Sequence, residues 1–199
     1  MTGPITPQEH SAASRGRTDA LAEVHKPVDP SQELSSAELA VLDAVAPMDP
    51  NAPSTKVTRI AKREVGYRES GTNHTKYGRW YGADGQEWCD IFVSWVFHEA
   101  GQLPAVGGKQ KYVPDHLKWF RKHHRFYRRG ATGGGPREGC VIFFDLNGRN
   151  GEDHIGIVTS YDDTYVYTVE GNRSNEVRRL KYSRSSHLIW GYGYPAWDH

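Results

Sequence analysis

Cys89, His154 and the segment Glu170-Gly171-Asn172 carry the residue types that break an amide bond, in the chain order thiol, imidazole, then carboxylate or amide. Cys89 stands in Trp88-Cys89-Asp90-Ile91-Phe92-Val93-Ser94-Trp95-Val96, where the apolar spacing predicts the start of an amphipathic helix. A thiol there lies among unpaired backbone N–H groups at the positive end of the helix dipole, which favours the nucleophilic thiolate. The N–H of the same residue can donate to a developing oxyanion. His154 heads the strand-like run Ile155-Gly156-Ile157-Val158-Thr159, so its ring is expected at a sheet end, facing a cleft, as a general base. Glu170 closes the next apolar run. If the two strands pair, its carboxylate lies beside His154, fixes the tautomer and stabilises the imidazolium. Asn172 offers an amide for the same orienting work, or a donor in the cleft.

Taken singly, each of these residues has a plainer reading. A cysteine is often a small buried hydrophobe, one histidine among ten is usually a surface residue, and Glu170-Gly171-Asn172-Arg173 reads as a hairpin turn. Together they are more specific, because each sits at an element end that one cleft can use. Cys140 opens the core-like run Cys140-Val141-Ile142-Phe143-Phe144 and is expected to be a buried structural thiol. Two cysteines are too few for a disulfide framework, and their pairing would silence Cys89. No CxxC or HExxH occurs, so no metal site is expected.

The elements that must position these groups fall in two blocks. Helical spacing is expected from about Thr55 to Val65, from Trp88 to Ala100 with Gly101 as C-cap, and from Asp115 to His123 after Pro114. Glu69 to Gly82 reads as a polar loop. From Gly139 the pattern turns to strands at 140–144, 155–159, 165–169, 177–182 and 188–194, separated by turns rich in Gly, Asn and Asp. Helices first and strands after predict an α+β domain over residues 55–199, with helices packed on an antiparallel sheet.

Residues 1–54 differ. Seven prolines punctuate them, and no aromatic residue occurs there. Such a stretch cannot bury enough apolar surface to offset its ordering entropy, so a flexible tail or linker is expected. Serine caps and Glu38 predict a short helix over about 35–46, and a carrier or partner protein is a candidate to dock on this tail. The formal net charge of +1, from 25 basic and 24 acidic residues, argues against nucleic-acid binding through bulk charge. The local run Arg121, Lys122, Arg125, Arg128 and Arg129 reads as solvated surface. No apolar stretch is long enough to span a membrane. Met1 to Pro7 lacks the basic patch and apolar run of a secretory signal. The product is therefore expected to be made in the cytoplasm and to reach any outside target by another route.

Several segments resemble a CHAP domain (cysteine, histidine-dependent amidohydrolase/peptidase) of the papain-like NlpC/P60 superfamily. They are Val65-Gly66-Tyr67; Asn73-His74-Thr75-Lys76-Tyr77-Gly78-Arg79-Trp80-Tyr81-Gly82; Glu87-Trp88-Cys89-Asp90-Ile91-Phe92-Val93-Ser94-Trp95; Gly139-Cys140-Val141-Ile142-Phe143-Phe144-Asp145; Asp153-His154-Ile155-Gly156-Ile157-Val158; Val169-Glu170-Gly171-Asn172; and Gly191-Tyr192-Gly193-Tyr194-Pro195. The likeness runs from about Thr55 to Trp197. It implies a papain-like fold without cofactor, acting on peptidoglycan as an N-acetylmuramoyl-L-alanine amidase or an endopeptidase. Cys89 would be nucleophile, His154 base and acid, Glu170 the orienting carboxylate and Asn172 a supporting residue. Trp80, Tyr81 and Trp88 would flank the cleft and stack on substrate. Such an enzyme could be a phage lysin, a virion-associated wall enzyme or a delivered effector. Two readings compete: a non-catalytic module binding wall or protein through the same cleft, and a thiol protease acting on host proteins. Two departures stand out. Gly139-Cys140 replaces the family's frequent Gly-Asp, and only Asp84 and Glu87 stand where some relatives gather calcium ligands, so no metal is expected.

Overall fold

The computed structural model describes residues 32–44, 49–149 and 151–197. Its centre is a helix that the sequence places on a surface. This helix, Cys89–Glu99, is buried at Ile91, Phe92, Val93, Ser94, Val96 and Phe97, and is exposed only at His98 and Glu99. It is buried nearly all round, not amphipathic as expected, because it is packed from two sides. Pro53–Arg63 and Lys76–Tyr81 cover one side, and strands of the sheet cover the other. A helix that is apolar around its whole circumference belongs inside a layered domain.

In chain order the helices are α1 (Ser36–Ala44), α2 (Pro53–Arg63), α3 (Lys76–Tyr81), α4 (Cys89–Glu99) and α5 (Val113–Lys122), with a short 3₁₀ turn at Leu103–Val106 between α4 and α5. The strands are β1 (Gln32–Glu33), β2 (Phe126–Arg128), β3 (Val141–Phe144), β4 (His154–Tyr161), β5 (Tyr165–Glu170), β6 (Arg178–Ser183) and β7 (Ile189–Gly193). They form one sheet in the order β1-β6-β5-β4-β3-β7-β2, with every neighbouring pair antiparallel. The domain is α+β, with β2 to β7 following the helices and β1 preceding them. None of the described helices is long and apolar enough to cross a membrane.

Both sheet faces are apolar. Val141, Phe143, Ile155, Ile157 and Val169 join the helices in one core, while Ile142, Phe144, Val158, Val166 and Tyr182 form a second on the other face. That is why β3 reads as an unbroken apolar run instead of alternating. α3 lies within the expected loop. Thr75 caps it, its side chain accepting from the Gly78 N–H at 2.8 Å, and Gly82 ends it at φ +87°. Its single glycine, Gly78, and its short length hid it from a periodicity argument.

Residues 32–44, on the tail side of the division expected at 54/55, lie against the sheet; residues 1–31 and 45–48 fall outside the described residues. α1 begins with a capping box. Ser35 Oγ accepts from the Glu38 N–H, and Glu38 accepts from the Ser35 N–H at 2.9 Å. The same Glu38 pairs with Lys181 on β6, Asp43 with Arg179 at 2.9 Å, and Glu33 with Arg178 at 2.5 Å. The Lys181 contact, with help from Ser35, brings the Glu38 carboxyl from its usual 4.5 to about 2. A depressed carboxyl holds the segment above the unfolded value and releases it as pH falls from 4.5 towards 2. We therefore expect amides of residues 36–44 to lose hydrogen-exchange protection in that window, and with rising salt, while β4 and β5 keep theirs. Lys181→Glu should release the segment at neutral pH.

Candidate active site

His154 and Glu170 meet through the register of β4 and β5. Ile157 pairs with Val169, so the same pairing sets Gly156 against Glu170. A Cβ on Gly156 would lie 2.6 Å from Glu170 Cγ, so the missing side chain is the space through which the glutamate stem crosses β4. The carboxylate then accepts from His154 Nε2 at 2.9 Å. Thr168 Oγ1 donates to its other oxygen at 2.5 Å, Tyr182 OH donates at 3.1 Å, and Arg173 Nε stands 3.9 Å away. Glu170 is fully buried and His154 is 6% exposed. A carboxylate with donors on both oxygens is fixed in place, and it fixes the ring. With Nε2 committed to Glu170, Nδ1 is the nitrogen left for proton exchange.

Cys89 is the first residue of α4, and the sheet approaches that turn at two points. Gly171 lies against Phe92, one turn on from Cys89; a Cβ on it would come within 2.5 Å of Phe92 Cβ. Asn172, held at φ +57°, donates from Nδ2 to Glu87 Oε2 at 2.6 Å, two residues before the cysteine. Asn73 Nδ2 donates to the other Glu87 oxygen at 3.3 Å. One side-chain bond thus ties the Cys89 segment, at Glu87, to Asn172 just after β5, while His154 and Glu170 pair on the sheet face that carries Phe144 and Tyr182. The N-cap residue of α4, Trp88, makes no side-chain cap, so side-chain capping does not use up the first-turn N–H groups.

The thiol differs from expectation. Burial pushes Cys89 well above the ordinary thiol value, and the Asp90 and Glu87 carboxylates push it further; the N–H groups of Asp90 and of Cys89 itself act the other way. The helix terminus does favour the anion, but desolvation and two nearby acids outweigh it. That balance favours the neutral thiol. Cys140 is 1% exposed and free, with its thiol pushed up to about 12 by burial.

The sequence profile of the CHAP domain matches residues 80–172, a span that holds Cys89, His154, Glu170 and Asn172. The chain carries a CHAP domain. Domains of this kind are papain-like cysteine peptidases or amidases, which points to peptidoglycan-related amidase or peptidase activity in general. Among solved structures, "The crystal structure of Ly7917" is similar at 15% identity and a TM-score of 0.45, over 71% of this chain and 62% of that one. The chain therefore spans less than two thirds of that structure's length. No curated protein matches it.

Within the CHAP domain, two of the three aromatic residues expected to flank the cleft lie elsewhere. Trp88 is fully buried, stacked on Tyr77 at 5.5 Å and donating from Nε1 to Glu69 at 2.8 Å, so it is a core residue that no substrate reaches. Trp80 packs on His98 at 5.0 Å and under Lys109. His98 is nine residues along α4 from Cys89, about 14 Å at 1.5 Å per residue, so Trp80 sits at the far end of the helix. Tyr81 stays near the cysteine turn: it is half-buried, and burial and the Asp90 charge raise its hydroxyl. Asp84 is also accounted for, accepting from the Thr75 N–H at 2.8 Å and pairing with His74.

Sequence reasoning missed the clamp made by Glu87 and the cage around Glu170. Neither Thr168 nor Tyr182 carries a local signal, since they meet the carboxylate only through strand pairing. Gly171 gives a test of the clamp. Gly171→Ala should force β5 away from Phe92, lowering stability by about 1–3 kcal/mol in urea denaturation. By displacing Asn172 and Glu170, it should also lower wall hydrolysis by about 10²-fold.

Proposed function

We propose that the protein is a peptidoglycan hydrolase that cleaves amide bonds of the bacterial wall by a thiol mechanism. The contact between His154 Nε2 and Glu170 Oε2 carries this reading, because an imidazole oriented by a buried carboxylate is the base that a thiol hydrolase needs. Cys89 Sγ attacks the amide carbonyl as His154 takes the thiol proton, so a neutral resting thiol suits a general-base route. First-turn N–H groups of α4 hold the oxyanion. His154 then gives its proton to the leaving amine and activates the water that releases the acyl group. Glu170 stays ionised and stabilises the imidazolium in each half-reaction. Asn172, through Glu87, keeps the cysteine turn against the sheet.

The bond is either the lactyl–alanine link or one within the stem or cross-bridge. Mass spectrometry of fragments released from defined peptidoglycan decides between them: a free lactyl carboxyl marks the amidase, a new peptide terminus the endopeptidase. The reading extends to a lysin, virion or effector enzyme that acts at the wall after release or delivery, with residues 1–54 as tether or docking segment. A second reading is a module that binds wall fragments without cutting them. The same experiment separates the two, since a binder retains intact fragments and releases none.

A further inference from the structure

Directly behind the candidate nucleophile lies a second acid–imidazole pair that the proposed reaction does not use. Asp90 and His116, from α4 and α5, are both fully buried, with Asp90 Oδ1 2.6 Å from His116 Nδ1. His116 Nε2 lies 3.0 Å from the Val106 carbonyl oxygen in the 3₁₀ turn. The ring stacks on Phe120 at 5.2 Å and meets the edge of Phe143. Asp90 Oδ2 is buried with no hydrogen-bond partner among the described residues.

These contacts fix the proton count. A carbonyl oxygen cannot donate, so Nε2 carries a hydrogen. A contact of 2.6 Å between Nδ1 and Oδ1 holds one more. Whichever atom owns that second proton, imidazolium with carboxylate or imidazole with acid, the pair is neutral as a whole. This neutrality matters because Asp90 is the residue next to Cys89 and its charge bears on the thiol. The other ionisable groups gathered at this end of α4 are Glu87 from its own segment and Tyr81 from α3; Lys111 donates to Gln86 at 3.3 Å just ahead of it. From α2, the apolar Val57 and Ala61 enter the core around α4.

We propose that His116 is a positioning residue for the Cys89 chemistry: it neutralises and orients Asp90, so that the first turn of α4 offers its N–H groups to the sulfur without an uncompensated carboxylate beside it. The assignment rests on Cys89 being the nucleophile. Its test reads the thiol directly and needs no wall substrate, so it stands or falls apart from the hydrolase reading, which Cys89→Ala decides.

The test is the pH profile of Cys89 alkylation by iodoacetamide, followed by mass spectrometry with buried Cys140 as internal reference. Asp90→Asn removes the negative end of the neutral pair, which is the end beside Cys89, and should move the profile to lower pH, with about a tenfold faster reaction at neutral pH for each unit moved. His116→Gln leaves the Asp90 carboxylate without its partner and should move the profile to higher pH. In the Asp90→Asn background, His116→Gln should have no further effect, because nothing remains to compensate. A purely structural role predicts slower folding-competent protein and the same change from His116→Gln in both backgrounds; that result, or shifts of one sign in the two single variants, overturns the proposal. If His116→Gln does not fold, Asp90→Asn decides alone, and an unchanged or higher-pH profile overturns it.

Discussion

Cys89→Ala is expected to abolish hydrolysis of purified cell walls, by at least about 10³-fold in turbidity clearance, while the protein stays folded. The size of the loss follows from the chemistry, since without sulfur there is no acyl-enzyme and the reaction loses its two-step path. Retained folding follows from the position. Cys89 is a partly buried residue at a helix start, packed against the core but making no side-chain cap. Cys140→Ala is the matching control. It removes a buried thiol from the second core, so it should cost about 1–2 kcal/mol of stability and leave clearance near wild type. Equal clearance by Cys89→Ala and the wild type would end the hydrolase reading.

Glu170→Gln should lower kcat by about 10²–10⁴-fold and leave KM nearly unchanged. The split follows from burial: a fully enclosed carboxylate touches no substrate and acts only through His154. His154, Thr168 and Tyr182 all point donors at Glu170. An amide keeps the shape but brings its own N–H group against one of those donors. The ring is then driven towards the tautomer with its proton on Nδ1, the wrong form for taking a proton from the thiol. Leaving a buried donor unsatisfied should also lower stability by about 1–3 kcal/mol in the same variant. A kcat within twofold of wild type would show that His154 needs no carboxylate behind it.

The order of elements and the His154–Glu170 pair were legible because both follow from local pattern. An apolar run began after His154 and an alternating one ended before Glu170, and antiparallel pairing of adjacent runs brings those two ends together. Cys89 at a helix start was legible for the same reason. The charge state of its thiol was not, because it depends on how deeply α4 is enclosed and on which acids surround it, and these are properties of packing. The burial of Trp88 escaped for the same cause: an indole beside a reactive cysteine reads equally well as platform or core until Tyr77 is seen against it. The clamp through Glu87 joins residues 85 positions apart, and no window along the chain reports such a pair.

The antiparallel sheet ends at β6 on one side, and there β1 adds two residues of pairing, Gln32 with Lys181 and Glu33 with Leu180. An open strand rim is a template for another copy of the same chain, and proteins blunt it with short strands and charges. The β1–α1 segment does both, laying Glu33, Glu38 and Asp43 over Arg178, Lys181 and Arg179. A chain trimmed to begin after Ala44 would keep Cys89, His154 and Glu170 and bare that rim. Such a trimmed chain would leave Arg179 and Lys181 without Asp43 and Glu38, so the segment also sets the sign of charge along that border.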